Sequence, residues 1–235
     1  ILSNQMNLKK EKYYSQKNYR IIIGLDEAGR GSLAGPVSAA AVIVNPKIYS
    51  LKTSKEKSNQ QKDKIFQEIL KRTNDSKKLT PKEREFVFKL IKNSPDIKFS
   101  YSFIQSQTID KININQAIQK AMLNCLKKIL TPKIKNKRIL ILIDGNQPLI
   151  LNDIFFKNKN IIQKTIIKGD NKIFSIALAS IIAKVNRDQT MKNLSLKYPR
   201  YNFAKHKGYG TQEHCQLLKK YGFCKIHRQS FKLKS

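Results

Sequence analysis

The stretch IIIGLDEAGRGSLAGPVSAAAVIV, residues 21–44, decides the fold of this chain. It begins and ends with apolar runs, which is typical of two buried strands joined by a tight loop. Between the runs stand two adjacent carboxylates, Asp26 and Glu27, followed by small residues around a single arginine, Arg30. Carboxylates at the end of a buried strand are costly unless a positive charge compensates them. A divalent cation with oxygen ligands is the natural compensation, so the stretch indicates a metal site.

Two other interpretations of this loop are open. Gly24 and Gly29 have the spacing of the glycines in a phosphate-binding P-loop, but Arg30-Gly31 stands where that motif requires Lys-Ser or Lys-Thr. Two carboxylates inside the loop would also repel a bare phosphate, whereas metal ions between them would attract it. The Asp-Glu pair alone could equally be a solvated turn between strands. The flanking glycines and the apolar strand weigh against that second interpretation.

Length and composition favour one large domain. The chain has 235 residues, of which 40% are hydrophobic, so it can bury a real core. No apolar run reaches the roughly 20 residues that a membrane span requires, and we expect no membrane partner. The basic N-terminus lacks the apolar stretch of a secretory signal. We expect residues 1–19 to be a frayed, basic lead-in and residues 20–235 to form the domain.

Charge and cysteine usage point to a polyanionic partner in a reducing compartment. The net charge is +31 and the pI about 10.1, far beyond what solubility requires. Most basic residues are lysine, and lysine, isoleucine and asparagine are abundant together, so part of the charge can reflect an AT-rich genome. Cys125, Cys215 and Cys224 are odd in number and scattered, which favours a cytoplasmic location. An organellar matrix is compatible with the same composition.

A zinc site near the C-terminus is a further alternative. Five potential ligands occur there, but no C-x2-C or H-x3-H spacing joins them, which disfavours zinc. These residues are His206, His214, Cys215, Cys224 and His227.

Apolar periodicity and turn residues predict alternating strands and helices. The predicted strands are residues 19–25, 37–44, 97–104, 138–143 and 161–167. The predicted helices are a short one around residues 65–70, then 114–130, 174–185, 191–197, and a last one that Thr211 caps and that ends near residue 221. A further helix begins at Thr80-Pro81, with Thr80 as N-cap and Pro81 in the first position. Its predicted apolar face consists of Phe86, Val87, Leu90 and Ile91.

Acidic residues follow three of the predicted strands. Asp26 and Glu27 follow the first, Asp144 follows residues 138–143, and Asp170 follows residues 161–167. Sites in α/β sheets form outside the strand ends, so we expect these side chains to converge. Four converging carboxylates can hold two divalent cations bridged by a substrate phosphate. Taken singly, Asp144-Gly145 and Gly169-Asp170 could also be simple turns.

A series of sequence blocks carries a resemblance to a known family. The first is GLDEAGRG at residues 24–31, followed by LAGPV at residues 33–37. The others, in order, are DSKKL at 75–79, TID at 108–110 with NI at 113–114, IDGN at 143–146, KGD at 168–170, ASIIAKV at 179–185 with RD at 187–188, and HKGY at 206–209 with Thr211. This combination resembles the type II ribonuclease H family over roughly residues 20–231. The Gly-Arg-Gly loop, and a chain with no sizeable extra N-terminal domain, favour type II over type III.

The resemblance implies the fold, the reaction and the cofactor. The fold would be α/β and ribonuclease H-like: a mixed five-stranded sheet flanked by helices, with a helical C-terminal part. The catalytic domain would hold Mg²⁺ or Mn²⁺, with two ions at the catalytic step, on Asp26, Glu27, Asp144 and Asp170. The family hydrolyses the RNA strand of RNA/DNA hybrids. It also nicks duplex DNA on the 5′ side of embedded ribonucleotides, leaving 3′-hydroxyl and 5′-phosphate ends. These duplexes are the implied partners, and we expect a monomer.

The resemblance also implies substrate-binding residues. The loop Gly29-Arg30-Gly31 would contact the ribonucleotide 2′-hydroxyl, the group that locally distinguishes RNA from DNA. Glycines permit the close backbone approach that this contact needs. Tyr209 would stack at the junction between ribonucleotide and deoxyribonucleotide. The remaining implied substrate-binding residues are Lys77, Lys78, Ser180 and Lys184. For each single lysine of so basic a chain, a solvated position is the common alternative.

One departure and two competing functions complete the sequence-based interpretation. The Lys/Gln/Asn-rich stretch at about residues 51–73 is longer than we expect of the family and could extend the binding surface. A non-catalytic, basic nucleic-acid-binding protein would explain the charge, with structural carboxylates. Another nuclease of the same superfamily, such as a resolvase, would share the carboxylates.

Overall fold

The computed structural model describes residues 8–50, 60–73, 79–130, 137–152, 156–157 and 160–231. Its centre is a five-stranded sheet with the order β3-β2-β1-β4-β5. The strands are β1 (Ile21–Ala28), β2 (Val37–Val44), β3 (Ile97–Ile104), β4 (Ile139–Asp144) and β5 (Ile161–Ile166). β2 runs antiparallel to β1 and β3, whereas β4 runs parallel to β1 and β5. The mixed five-stranded sheet predicted from the sequence is therefore confirmed.

Helices cover both faces of the sheet and form the C-terminal part. In the described residues they are α1 (Lys9–Gln16), α2 (Lys47–Ser50), α3 (Gln60–Thr73), α4 (Pro81–Asn93), α5 (Ser106–Ile112), α6 (Ile114–Ile129), α7 (Phe174–Lys197), α8 (Phe203–His206) and α9 (Gln212–Tyr221). One buried cluster joins a sheet face to α7 and includes residues of α3 and α4. A second buried cluster joins the other face to α6. No helix in the described part of the chain has the length and apolar character of a membrane span.

Helix α7 packs unusually close to the central strand β1. A Cβ at Gly24 would lie 2.3 Å from the carbonyl carbon of Ser175 and 2.5 Å from the nitrogen of Ile176. Only glycine therefore fits at this position of β1. The close approach brings the side chains of α7 to the carboxyl end of β1, where the acidic residues lie.

The structure corrects the prediction for this region, since residues 174–197 form one helix and not two. Asn186, Arg187 and Asp188 look like a polar break in the sequence, but all three are helical. The Asn186 side chain donates to the Ile182 carbonyl, and Asp188 pairs with Lys184 at 2.8 Å. Arg187 is fully buried and donates to backbone carbonyls of the segment after β1. Polar residues continue a helix when such partners are available, and sequence spacing does not reveal them.

The N-terminal segment is ordered from α1 onward, so the prediction of a frayed lead-in is wrong for that part. Glu11 of α1 is completely buried. Its Oε1 accepts a hydrogen bond of 2.9 Å from the Ser175 amide in the first turn of α7. A carboxylate there satisfies a free amide at the helix N-terminus and complements the helix dipole. Burial nevertheless raises the pKa of Glu11.

The start of α4 is confirmed, whereas its apolar face is partly wrong. Thr80 and Glu83 form a reciprocal capping box, with Pro81 in the first turn. Val87 and Ile91 are buried, but Phe86 is 44% exposed and lies under the guanidinium of Arg72 at 4.8 Å. The helix turns Phe88 toward the sheet instead, where it contacts Phe99.

Candidate active site

The two adjacent carboxylates lie inside β1 and not after it, which corrects the predicted strand end. Asp26 pairs with Ala40 and Glu27 with Ala39 in the ladder to β2. Successive residues of a strand point to opposite faces. Asp26 accordingly points toward α7 and hydrogen bonds to Ser180, while its Oδ1 accepts from the Glu27 amide at 2.7 Å.

The other two carboxylates lie beside this pair. Asp144 is the last residue of β4, and the pairing of Leu25 with Ile143 makes Asp144 the parallel neighbour of Asp26. The Gly169 amide donates to Asp144 Oδ1 at 2.6 Å. Asp170 follows in the 3-10 turn after β5 and is only 5% exposed. The backbone thus brings all four predicted acidic residues to the same end of three neighbouring strands.

The electrostatics of this cluster show that its negative charge is poorly compensated. Burial raises the pKa of Asp26 well above its ordinary value, and repulsion from Glu27 and Asp144 adds to the effect. Burial also raises the pKa of Glu27; a bond from Arg30 opposes that shift, and repulsion from Asp144 adds to it. The Arg30 Nε lies 2.9 Å from Glu27 Oε1, but the Arg30 side chain is about half exposed. These carboxylates therefore lie where an added cation would be strongly favoured.

A cavity of about 370 Å³ opens at the carboxylates and is lined by most of the predicted substrate-binding residues. The residues that surround it are Glu27, Ala28, Gly29, Arg30, Gly31, Arg84, Asp170, Ser180, Ile181, Lys184 and Tyr209. The structure therefore brings together the glycine loop, the lysine of α7 and the tyrosine that the sequence predicts for one site. Lys77 and Lys78 lie outside the described residues.

A second hollow of similar size borders the same carboxylates from the side of α6. Glu27, Arg30 and Asp144 line it together with amide side chains that sequence reasoning missed, among them Asn115, Gln119 and Asn146. Asn115 Oδ1 accepts a 2.8 Å hydrogen bond from Arg30. Asn146 belongs to the IDGN block, but Asn115 and Gln119 lie on α6 outside the sequence blocks, so no single motif contains all three.

Two buried arginines hold the segment that carries the glycine loop. Arg187 of α7 donates to the carbonyls of Pro36 and Ala34, at 2.9 and 3.2 Å. Arg228 donates to the carbonyls of Gly35 and Arg30, at 3.1 and 3.0 Å. Both side chains are fully buried, and desolvation lowers the pKa of each guanidinium. They anchor the loop from inside.

Gly29 lies directly on this anchor. Its φ is +93°, and a Cβ there would fall 2.0 Å from the Arg187 Nε. Both the backbone conformation and the space therefore require glycine. A Cβ at Gly31 would meet no atom within 4 Å, so its backbone faces open space.

Tyr209 approaches the cavity from the C-terminal part of the chain. A β-bridge joins it to Ser32, and the carbonyl of Gly208 accepts from the amides of Leu33 and Ala34. The cationic groups of Lys184 and Arg187 lie 5.1 and 5.2 Å from the centre of its ring. The tyrosine and the glycine loop are thus parts of one hydrogen-bonded unit.

The donor set suits a hard divalent cation. All the predicted ligands are carboxylates, the ligand type that Mg²⁺ and Mn²⁺ take in proteins. The pKa values of Asp26 and Glu27 are raised by burial and by repulsion from neighbouring carboxylates, and a bound cation would offset both effects. Among the described residues, no group of three or more His, Cys, Asp or Glu side chains already has the arrangement of a metal-binding cluster.

Comparison with known proteins identifies relatives of this chain. The family model described as ribonuclease HII matches residues 23–74 and 72–234. A ribonuclease HII from Caldicellulosiruptor bescii is 44% identical over 222 residues, covering 94% of this chain and 91% of the relative. A solved ribonuclease H2 from Pyrococcus horikoshii aligns with a TM-score of 0.65 at 23% identity, over 91% of this chain and 94% of that one. Bst-RNase HIII in complex with Mn²⁺ aligns with a TM-score of 0.56 at 16% identity, over 92% of this chain and 68% of that one. The predicted fold class is confirmed.

Proposed function

The chain belongs to the ribonuclease HII family of ribonuclease H enzymes, and we propose that it is a metal-dependent endonuclease with two duplex substrates. It cuts the RNA strand of RNA/DNA hybrids, and it nicks duplex DNA on the 5′ side of an embedded ribonucleotide. The products carry 3′-hydroxyl and 5′-phosphate ends. The observation that carries this proposal is the cluster of under-compensated carboxylates next to a glycine loop.

We assign the metal ions to the four carboxylates, Asp26, Glu27, Asp144 and Asp170. Mg²⁺ or Mn²⁺ suits an all-oxygen donor set, and the distantly related Bst-RNase HIII was solved with Mn²⁺. When bound, such ions supply a water-derived nucleophile and stabilise the charge that develops on the scissile phosphate. The protein fixes the carboxylates through β1 and β4 and holds Asp144 by the Gly169 amide.

The glycine loop and Tyr209 select the cleavage position in this proposal. Gly29 lets the loop pack against Arg187, and at Gly31, where a Cβ would meet no atom within 4 Å, the loop backbone can approach a ribose 2′-hydroxyl closely. The aromatic face of Tyr209 packs on a deoxyribose but is crowded by an added hydroxyl. The glycine loop would therefore contact a ribose and Tyr209 a deoxyribose, on opposite sides of the scissile phosphate. Both contacts would lie within the cavity beside Glu27 and Asp170.

Basic side chains around the cavity would hold the duplex. Lys184 and Arg84 line it, and Lys77 and Lys78 are proposed to continue the same surface. Phosphate contacts of this kind release counterions and make affinity fall steeply with salt. We propose that the stretch at residues 51–73 extends this surface. We further propose that the enzyme acts as a monomer in the cytoplasm, in keeping with three free cysteines.

The deciding experiment uses a labelled DNA duplex containing one ribonucleotide, incubated with the wild-type protein and Mg²⁺, Mn²⁺ or a chelator. We expect one cut on the 5′ side of the ribonucleotide with either metal and no cut with the chelator. Asp144→Asn keeps the acceptor for the Gly169 amide but removes a charged ligand, so it should bind the duplex and fail to cut. A cut at another position would refute the proposed specificity.

Two controls separate the competing functions. Asp96→Asn changes a carboxylate at the far end of β3, where Asp96 accepts from Asn45 at 3.0 Å, and should cut like the wild type. Binding without metal-dependent cutting by the wild type would favour the non-catalytic nucleic-acid-binding protein. Cleavage of a four-way DNA junction that contains no ribonucleotide would favour a resolvase.

A further inference from the structure

The C-terminal part of the chain contains a buried cluster of all three histidines, His206, His214 and His227. The rings of His206 and His214 are stacked at 4.3 Å with 17° between their planes. The Nε2 atoms of His214 and His227 lie 3.1 Å apart. This cluster contains neither a proposed metal ligand nor a residue that lines the cavity, so the proposed function does not account for it.

The hydrogen bonds determine the protonation state of each ring. His214 Nδ1 lies 2.9 Å from the Tyr209 carbonyl, which can only accept, so Nδ1 carries the proton and Nε2 accepts. His227 must then donate from its Nε2 to His214. Its Nδ1 accordingly accepts from the Cys224 amide at 2.8 Å, which is shorter than its 3.3 Å contact with the Cys224 carbonyl. The result is a directed chain from Cys224 through two neutral imidazoles to the carbonyl of Tyr209.

The third histidine holds the residue before Tyr209. His206 Nε2 lies 2.7 Å from the Tyr201 carbonyl and therefore donates to it. Its Nδ1 accepts from the Gly208 amide at 3.2 Å. All ring nitrogens of the cluster thus have protein partners, which leaves no lone pair for zinc. The histidines contact the backbone on both sides of the Gly208–Tyr209 bond.

The surroundings keep the rings neutral. Burial, together with repulsion from neighbouring histidines, lowers the pKa of His214 and of His227 to about 4. Burial also lowers the pKa of His206, where Glu213 opposes the shift and Lys205 and Lys207 add to it. The other titratable groups near the cluster are the Cys224 thiol and the Tyr201 hydroxyl, whose pKa values burial raises. A second proton on His214 would set two donors against each other at the 3.1 Å contact with His227.

We propose that His214, aligned by His227, is a positioning residue for Tyr209. The bond from His214 Nδ1 fixes the Tyr209 backbone at the point where it joins Ser32 and the glycine loop. The bond thereby holds the backbone from which the Tyr209 side chain extends to line the cavity. The inference rests on the proposed function for its consequence in cutting, whereas the protonation pattern itself stands on the hydrogen bonds alone.

The protonation pattern is tested by nitrogen NMR of protein labelled with ¹⁵N only in histidine. Because the chain has three histidines, every signal belongs to this cluster. At about pH 7 we expect one neutral ring protonated on Nδ1, assigned to His214, and two protonated on Nε2. A His214 ring protonated on Nε2, or a charged ring, would overturn the proposal. This test does not involve cutting, so it remains valid if the proposed function fails.

The positioning role is tested by kinetics with a matched pair of variants. His214→Asn keeps an amide donor near the Nδ1 position, whereas His214→Leu removes it at similar bulk. The measurement is the ratio of single-turnover rates on the single-ribonucleotide duplex and on a long hybrid. We expect this ratio to fall about tenfold in His214→Leu, because one buried hydrogen bond is lost. In His214→Asn the ratio should return toward the wild-type value.

A second pair controls for folding. His227→Gln keeps a donor at the Nε2 position and His227→Leu does not, so the ratio should fall only in the leucine variant. Circular dichroism and a thermal melt confirm that each variant is folded at the assay temperature. Equal losses on both substrates in the leucine and amide variants would refute the positioning role and leave the histidines a packing role. If the wild type does not cut the single-ribonucleotide duplex, it is the proposed function that fails.

Discussion

Replacing Asp26 by asparagine should stabilise the metal-free protein at neutral pH. Asp26 is buried and repelled by Glu27 and Asp144, so its pKa is raised well above the ordinary 3.8. When the pKa of a group is higher in the folded state than in the unfolded state, its protonated form stabilises the fold. This stabilisation is fully present below the unfolded-state pKa and is lost as the pH rises through the folded-state pKa. Asparagine avoids that loss and keeps an oxygen to accept from the Glu27 amide.

The magnitude follows from the sheet geometry. Neighbouring parallel strands lie ~4.8 Å apart, and unit charges at that distance repel by about 3 kcal/mol at an effective dielectric constant of about 20. The amide is itself imperfectly hydrogen-bonded, so we expect a net gain of about 1–3 kcal/mol in unfolding free energy. For a chain of this length that corresponds to a rise of roughly 2–12 °C in Tm.

The assay is urea or thermal unfolding of wild type and Asp26→Asn in chelator, repeated with Mg²⁺ and across pH. The difference should vanish in acid, where the wild-type carboxyl is protonated, and Mg²⁺ should stabilise the wild type far more than the variant. Asp110→Asn is the opposite control. Hydrogen bonds from Ser230 and Gln229 lower the pKa of Asp110, so removing this carboxylate should destabilise the protein at neutral pH. An Asp26→Asn protein no more stable than wild type in chelator would refute the electrostatic reasoning.

Three further outcomes are expected. Gly24→Ala should cost about 1–3 kcal/mol of stability by forcing α7 away from β1, which a urea titration measures; an unchanged midpoint would contradict the close packing. Gly29→Ala should slow cutting of both substrates by at least tenfold, since its Cβ would collide with Arg187; single-turnover rates equal to wild type would contradict this. Affinity for a hybrid, measured with Asp144→Asn and Mg²⁺, should fall steeply with salt; replacing Lys184 by glutamine should make the slope shallower by about one phosphate contact.

The sheet was largely predictable because its strands are continuous apolar runs bounded by turn residues. The observed β2 and β3 have the predicted bounds, β4 begins and ends one residue later than predicted, and β5 ends one residue earlier. At β1 the observed strand, Ile21–Ala28, extends three residues beyond the predicted end at residue 25. Asp26 and Glu27 look like the end of a strand, yet they continue the ladder opposite Ala40 and Ala39. The polar side chains do not end the strand, because their partners on β2 are small alanines and the adjoining cavity accommodates the carboxylates.

The acidic half of the site was predictable and the basic half was not. Each carboxylate follows or ends an apolar run, and parallel strands must bring such positions together. Arg187 and Arg228, by contrast, act on carbonyls that lie 151 and 193 residues away along the chain. A lone arginine in a chain with 47 basic residues carries no sign that it is buried. The hydrogen-bonded histidines were not predictable for the same reason: the sequence offered only a disfavoured zinc site there, and its spacing does not reveal contacts with the backbone.

The separation of these two charged groups bears on how the site works. Arg187 and Arg228 donate to carbonyl oxygens of the segment from Arg30 to Pro36 and not to the carboxylates, whereas Glu27 pairs with the half-exposed Arg30. Ion pairs between the buried arginines and the carboxylates would have neutralised both groups. Without such pairs, the carboxylates favour metal ions, and the positive charge of the two buried arginines favours a phosphate near the loop. Metal ions and the nucleic acid backbone should therefore bind this site with positive coupling, because the metal ions compensate the carboxylates and the phosphate compensates the arginines.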